Sequence, residues 1–393
     1  MRPDPLRYLQ LALDELDAQG LRRPPHVLRG EQAARACVDG RSVINLASNN
    51  YLGLTSHPRL KAAAMQATAQ CGAGSGSVRV IAGTLELHTE LERRLAAFKQ
   101  TEAALVFQSG FTANAGTVAS ILGRDDVVVS DELNHASIID GARLSRATIK
   151  VFPHRNVEAA RKILKELPAG QRKLVTTDGV FSMDGDLAPL PALCDVAEEF
   201  GAIMMVDDAH ASGVFGRNGR GTVDHFNLHG RVDIQVGTFS KALGSVGGYV
   251  AGSQRLVDFL MHRARPFTFS TSHPPSVAAS ALAALDVLEQ EPGIIDRLWD
   301  NTRHFGSGLR RLGFNLGVSE SPILPVIVGS AHLAAQFSDR LLEEGVFAVA
   351  LGFPIVPKGL ARVRTIVTAT HTTEDLDRAL QVFGSIGSEL AIV

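Results

Sequence analysis

Five short apolar runs, Ala104–Phe107, Val127–Val129, Leu174–Val175, Ile203–Val206 and Ile234–Val236, lack the polar alternation of a half-exposed strand. Such runs suit strands covered on both faces, which requires helices on each side of a parallel sheet. Helical periods at Leu85–Phe98 and Ala192–Phe200 complete a strand–helix–strand rhythm that runs from about Val43 to about Glu289. The rhythm then changes to a helical stretch at Ile294–Leu312, a strand at Ile323–Val328, a helix at Ala331–Leu342 and a strand near Ala361–Val367. The expected fold class is α/β: a large domain with a mostly parallel sheet over residues 46–290, then a smaller C-terminal α+β domain over residues 291–393. Leu6, Leu9, Leu13 and Leu16 recur at helical spacing, so residues 1–45 read as an N-terminal helical segment. Its apolar stripe must be covered by the body of the protein or by a second subunit.

The charge balance narrows the function. Lys and Arg total 39 against 41 Asp and Glu, a formal net charge of −2, so no basic excess points to nucleic acid or a membrane surface. Cys37, Cys71 and Cys194 are far apart and in no metal-ligand spacing, which fits a reduced cytoplasmic protein. No apolar stretch approaches the roughly 18–20 residues of a membrane span. The start of the chain carries Asp14, Glu15 and Asp17 in place of a signal peptide's apolar core. A soluble cytoplasmic enzyme with no metal site is expected.

Chemistry-bearing residues follow the apolar runs. Ile203–Val206 ends in Asp207-Asp208-Ala209-His210, and ligands of open α/β sheets sit beyond such carboxyl ends. The same residues also suit a helix cap and a satisfied histidine. Ile234–Val236 runs into Gly237-Thr238-Phe239-Ser240-Lys241-Ala242-Leu243-Gly244. A lysine among hydroxyls and glycines suits phosphate binding or a Schiff base, although a turn lysine at the surface fits as well. The Walker pattern is absent, which disfavours an NTPase. Ser109-Gly110-Phe111 opens a helix whose first N–H groups make an anion site, or merely a capped turn. Asn134-His135 follows Val127–Val129 and sets an imidazole at another strand end. Gly72–Gly76, Asp184-Gly185-Asp186 and the His225/His229 pair miss the spacings of dinucleotide, calcium and zinc sites.

Together these features specify one ligand type. Lys241 suits an aldehyde, Gly110, Phe111 and Thr238 suit a phosphate, and a strand-end carboxylate suits a ring nitrogen. A phosphorylated aromatic aldehyde with a ring nitrogen is pyridoxal 5′-phosphate, PLP.

The chain resembles the α-oxoamine synthases, fold-type I PLP enzymes of the aspartate aminotransferase-like class. The resemblance spans nearly the whole chain and rests on six stretches: Ser48–Leu54, Asn134–Gly141, Asp178–Gly185, Val206–His210, Arg265–Ser270 and Pro354–Arg364. It implies a seven-stranded, mostly parallel sheet and a homodimer with shared active sites. It further implies that Lys241 carries PLP as a Schiff base and later moves the substrate α-proton. Asp207 would pair with the ring nitrogen, His135 stack on the ring, and Ser182 and His210 approach the phenolic oxygen. Gly110, Phe111 and Thr238 would hold the phosphate, with Thr271 and Ser272 reaching across from the partner chain. Asn49 and Arg364 would hold the amino-acid carboxylate. On an extended strand Arg362 and Arg364 share a face, so spacing alone leaves the two open.

The implied reaction joins a small amino acid, glycine or L-alanine, to the acyl group of an acyl-CoA. The Val356–Thr365 segment resembles the glycine C-acetyltransferase (2-amino-3-ketobutyrate CoA ligase) branch most, so glycine and acetyl-CoA, and a place in threonine breakdown, are the first expectation. The alternatives are 8-amino-7-oxononanoate synthesis, which uses L-alanine and a pimeloyl thioester with decarboxylation for biotin, or a relaxed enzyme that does both. An aminotransferase and a catalytically silent PLP-binding subunit are further readings; Lys241 argues against the second.

Overall fold

The computed structural model describes residues 4–18 and 25–393. A seven-stranded sheet forms its centre, built from β1 (Ala103–Phe107), β2 (Val127–Asp131), β3 (Thr148–Phe152), β4 (Lys173–Asp178), β5 (Ile203–Asp207), β6 (Ile234–Thr238) and β7 (Gly248–Gly252). Their spatial order is β1-β7-β6-β5-β4-β2-β3. Strands β2 to β6 pair in parallel, while β7 runs antiparallel between β1 and β6. Strands β1, β2, β4, β6 and β7 are buried along their whole length, as unbroken apolar runs require. Val127, Val128 and Val129 are at most 1% exposed, each contributing roughly 1.5–3 kcal/mol by burial.

The register aligns the functional ends. Asp178 of β4 lies opposite Asp207 of β5, and Asp207 lies opposite Val236 of β6. Two helices, Gly110–Ile121 and Ala136–Ser145, start at these ends and pack closely on each other. Gly141 makes that approach possible, since a Cβ there would sit 3.0 Å from the Ala115 Cα. The two helix starts are thereby held on one side of the strand ends.

A second core joins Ile44 and Leu46 to Phe305, Phe314, Phe337, Phe383 and the strand residues Val326 and Val363. Its three-stranded antiparallel sheet consists of β8 (Ile323–Gly329), β9 (Val349–Leu351) and β10 (Ala361–Ile366), with β10 central.

The N-terminal part departs from the expected helical segment. Residues 7–18 are helical and none of them is buried. Residues 28–29, 35–38 and 41–45 form strands instead, and Ile44 pairs in parallel with Val346. The reason is local: Asp39 and Gly40 both take positive φ, at 50° and 80°, in a two-residue hairpin turn joining Val38 to Arg41. The Asp-Gly pair was a readable hairpin signal. Among the described residues, no helix is long and apolar enough to cross a membrane.

Candidate active site

A cavity of about 200 Å³ opens at the carboxyl ends of β4, β5 and β6. Its walls bring together Gly110, Phe111, His135, Asp207, His210, Thr238 and Lys241, all expected from the sequence. Asn114, Ser137, Asp178 and Ser240 also line it and were not singled out as site residues. Asn114 had a signal, because it lies one helical turn after Gly110 on the same face.

The anion-binding wall is a capped helix start. The Ser109 hydroxyl accepts from Thr112 N–H at 3.1 Å and Thr112 Oγ1 accepts from Ser109 N–H at 2.9 Å, closing a capping box. A Cβ on Gly110 would stand 3.3 Å from the Thr238 Cβ, so glycine keeps this wall open. The Thr238 hydroxyl donates to the Gly247 carbonyl at 2.6 Å and accepts from Ser240 N–H at 3.1 Å. The Ser240 hydroxyl donates to the same Gly247 carbonyl at 3.3 Å and accepts from Gly247 N–H at 3.2 Å.

Asp207 is oriented by two donors, Asn114 Nδ2 at 2.6 Å and Ala209 N–H at 2.8 Å. Asn114 Oδ1 is buried without a partner, an acceptor left over in the cavity wall. His135 accepts at Nδ1 from Ser137 N–H at 3.2 Å, capping its helix, and its own N–H donates to Asp178 at 3.3 Å. Burial holds the His135 imidazole below its ordinary pKa. Burial and the neighbouring Asp207 charge push Asp178 well above the usual carboxylate range. Burial lowers the Lys241 amine to about 8, against the opposing pull of Asp207 and Asp178. A buried lysine beside carboxylates thus keeps an appreciable neutral fraction near neutrality.

Geometry distinguishes the two arginines. Arg362 is 1% exposed, and its Nε and Nη1 bond the Leu360 carbonyl at 3.1 Å, the Met183 carbonyl at 3.0 Å and Asp184 Oδ1 at 2.5 Å. Arg364 donates to the Ser182 carbonyl at 2.9 Å and has no carboxylate partner among the described residues. Its charge acts on His210 and Lys241 across the cavity. Ser182 itself faces an adjoining cavity of about 280 Å³ that Phe353–Pro357 closes from the other side. Asn49 leaves its buried Oδ1 unpartnered.

Thr271 and Ser272 do not line the cavity of their own chain. Thr271 bridges Val78, and Ser272 donates its hydroxyl to the Gly83 carbonyl at 2.5 Å. Both belong to a segment beside the cavity mouth, since the next residue, His273, abuts Gly247.

These donors fit PLP: free helix-start N–H groups for a phosphate, a strand-end carboxylate for a ring nitrogen, and an amine of lowered pKa for an aldehyde. A family model described as aminotransferase class I and II matches residues 41–383. The chain belongs to that family. The 8-amino-7-oxononanoate synthase of Symbiobacterium thermophilum is 57% identical over 387 residues, 98% of this chain and 99% of its own. The 8-amino-7-oxononanoate synthase 1 of Bacillus subtilis is 56% identical over 366 residues, 93% of each chain. Among solved structures, a serine palmitoyltransferase variant from S. paucimobilis with a bound PLP–myriocin aldimine matches with a TM-score of 0.94. It is 34% identical, covering 99% of this chain and 100% of that one. As a family member of this kind, the protein is a PLP-dependent acyltransferase of the α-oxoamine synthase type, with the fold-type I architecture expected.

One expectation is overturned. The glycine C-acetyltransferase branch, and threonine breakdown with it, gives way to the 8-amino-7-oxononanoate synthases, the name shared by relatives more than half identical over nearly the whole chain. The physical reason lies in the segment used. Val363 is fully buried and Arg362 is bonded to Asp184, so these two residues of the segment serve packing and an ion pair and report nothing about the acyl group.

Proposed function

We propose that the chain is an 8-amino-7-oxononanoate synthase, condensing L-alanine with a pimeloyl thioester in biotin synthesis. The observation that carries this reading is the relatives' common name at 57% and 56% identity, together with an arginine at the cavity left free of any carboxylate partner among the described residues. In the balanced reaction the thioester C–S bond breaks, a C–C bond forms at the alanine Cα, and CoA leaves as the thiol. The alanine carboxylate departs as CO2, and a proton returns to Cα.

PLP, when bound, supplies the electron sink that stabilises charge developing at Cα. Lys241 would hold the aldehyde through its Nζ and would move the proton at Cα with the same atom. Asp207, steadied by Asn114 and Ala209, faces the ring nitrogen. His135 would cover the ring and His210 would approach the phenolic oxygen, while Ser182, at the adjoining cavity, offers its carbonyl to Arg364 instead of the phenolic-oxygen contact expected for it. The N–H groups at the Gly110–Phe111 helix start would hold the phosphate, beside Thr238 and Ser240. Arg364, with Asn49, clamps the alanine carboxylate and orients the bond that breaks.

The active form we infer is a homodimer. Val80, Ile81, Phe111, Val246 and Phe269 expose between 45% and 80% of their surface on segments around the cavity mouth. The 78–83 segment is tied to Thr271 and Ser272, and residues 247–248 abut Ser109, Gly110 and His273. A partner seated on these residues would bring its own Thr271 and Ser272 towards the site.

The test compares kcat/KM for L-alanine with pimeloyl-CoA and for glycine with acetyl-CoA. The alanine methyl in a fitted site predicts a preference of about 10- to 200-fold on that side alone. A preference for glycine and acetyl-CoA would refute the assignment.

A further inference from the structure

Tyr51 stands against the cavity with no role assigned by the reading above. It is fully buried, and its ring meets His210 edge-on at 6.1 Å between centroids. Its hydroxyl lies 2.7 Å from His210 Nδ1 and has no other partner among the described residues. A buried phenol proton needs an acceptor, because leaving it unpaired costs about 1–3 kcal/mol. Nδ1 is the acceptor the structure offers.

The protonation states support this direction. Burial raises the Tyr51 phenol above its ordinary pKa, so it remains a donor. Burial depresses His210 well below its ordinary value, and the charges of Lys241 and Arg364 and the neighbouring His135 depress it further. A neutral imidazole that accepts at Nδ1 carries its one proton on Nε2. His210 lines the cavity, and its Nε2 has no protein partner among the described residues.

We propose that Tyr51 is a positioning residue that fixes His210 as the Nε2–H tautomer, so that His210 presents a hydrogen-bond donor to the cavity. The inference rests on the PLP reading of the same site. There, a donor opposite the phenolic oxygen stabilises that oxygen's negative charge. Its loss raises the proton affinity of the Lys241–cofactor linkage, whose nitrogen shares the proton with that oxygen.

The experiment uses the holoenzyme. The pH titration of its visible absorption band is compared in wild type, Tyr51→Phe and Tyr51→Gln, the last restoring a side-chain donor. Imidazole ¹⁵N spectra of His210, assigned by their absence in His210→Asn, report the tautomer directly. The expected result is an Nε2–H signature in wild type and its loss or averaging in Tyr51→Phe. The band's proton affinity should rise about 2- to 10-fold in Tyr51→Phe, the range for one neutral hydrogen bond, with partial return in Tyr51→Gln. An unshifted band in a folded Tyr51→Phe protein, or an Nδ1–H signature in wild type, would overturn the role of Tyr51 alone. A wild-type protein with no visible band after PLP addition would refute the cofactor reading and the role of Tyr51 together.

Discussion

The floor of the cavity and its rim are built differently. The floor comes from strand ends of one sheet, where Asp178, Asp207 and Val236 stand side by side in register and the donors to them come from the same strand ends and the two helix starts. The rim joins distant pieces: Arg364 of β10 reaches the Ser182 carbonyl, and Phe353–Pro357 closes a slot against Phe181–Asp184. The floor residues stand in register along one sheet, whereas no single segment builds the rim. We propose that the rim selects the acyl group and the amino acid.

Substitutions separate the two regions. On the floor, Lys241→Ala should lower kcat by about 10⁴-fold, the upper range for losing a proton-transfer group, while the protein still holds PLP through the helix start. Borohydride should then fix no cofactor; covalent fixation in Lys241→Ala would place the linkage elsewhere. On the rim, Arg364→Ala should cost roughly 2–5 kcal/mol, or about 30- to 5000-fold in kcat/KM for every amino acid, with little change in acyl-CoA KM. Arg364→Lys should recover only part, since a point charge does not reproduce the planar fork. Arg362→Ala should instead destabilise the fold by about 1–3 kcal/mol, since it removes a buried side chain and leaves the Met183 and Leu360 carbonyls without their donor. If Arg362→Ala weakens L-alanine binding and Arg364→Ala does not, the division of labour on this strand is reversed.

Back on the floor, Asp207→Asn should slow exchange of the alanine α-proton with solvent by about 10²-fold while leaving the fold intact. Exchange at the wild-type rate would remove Asp207 from the ring nitrogen.

The smallest effect belongs to the seam between the regions. His154 bonds Asp131 at 3.0 Å and Asp186 at 2.9 Å, tying the end of β2 to the loop beneath the rim. Burial alone would lower its pKa, but the two carboxylates overcome this and raise it to about 9. A raised histidine stabilises the fold fully below its unfolded pKa near 6.5, and that contribution, at most about 3 kcal/mol, fades as pH climbs to about 9. Denaturant unfolding of His154→Gln should therefore lose most of the stability change between pH 6.5 and 9. An unaltered pH profile would show that His154 does not hold the seam.

Legibility followed the same division. Lys241, Asp207 and His135 were singled out because each lies at or just beyond the end of a buried strand, although each also had a purely structural reading until the residues were taken together. Asn114 and Asp178 obeyed the same logic, one helical turn after Gly110 and at the end of the Leu174–Val175 strand, yet were passed over. Tyr51 shows itself only through His210, 159 residues away. Arg362 and Arg364 were indistinguishable by period because what separates them is Asp184, 178 residues distant. The acyl preference failed for a related reason, read partly from Arg362 and Val363, which serve an ion pair and the core. The hairpin at Asp39-Gly40 was local and missed, hidden within a segment read by its leucines.

The most direct test of the account is stoichiometry. With L-alanine and pimeloyl-CoA, the purified holoenzyme should release CO2 and CoA in equal amounts, and 8-amino-7-oxononanoate should accumulate to match. CoA released without CO2, or CO2 without CoA, would contradict the decarboxylating condensation assigned to this site.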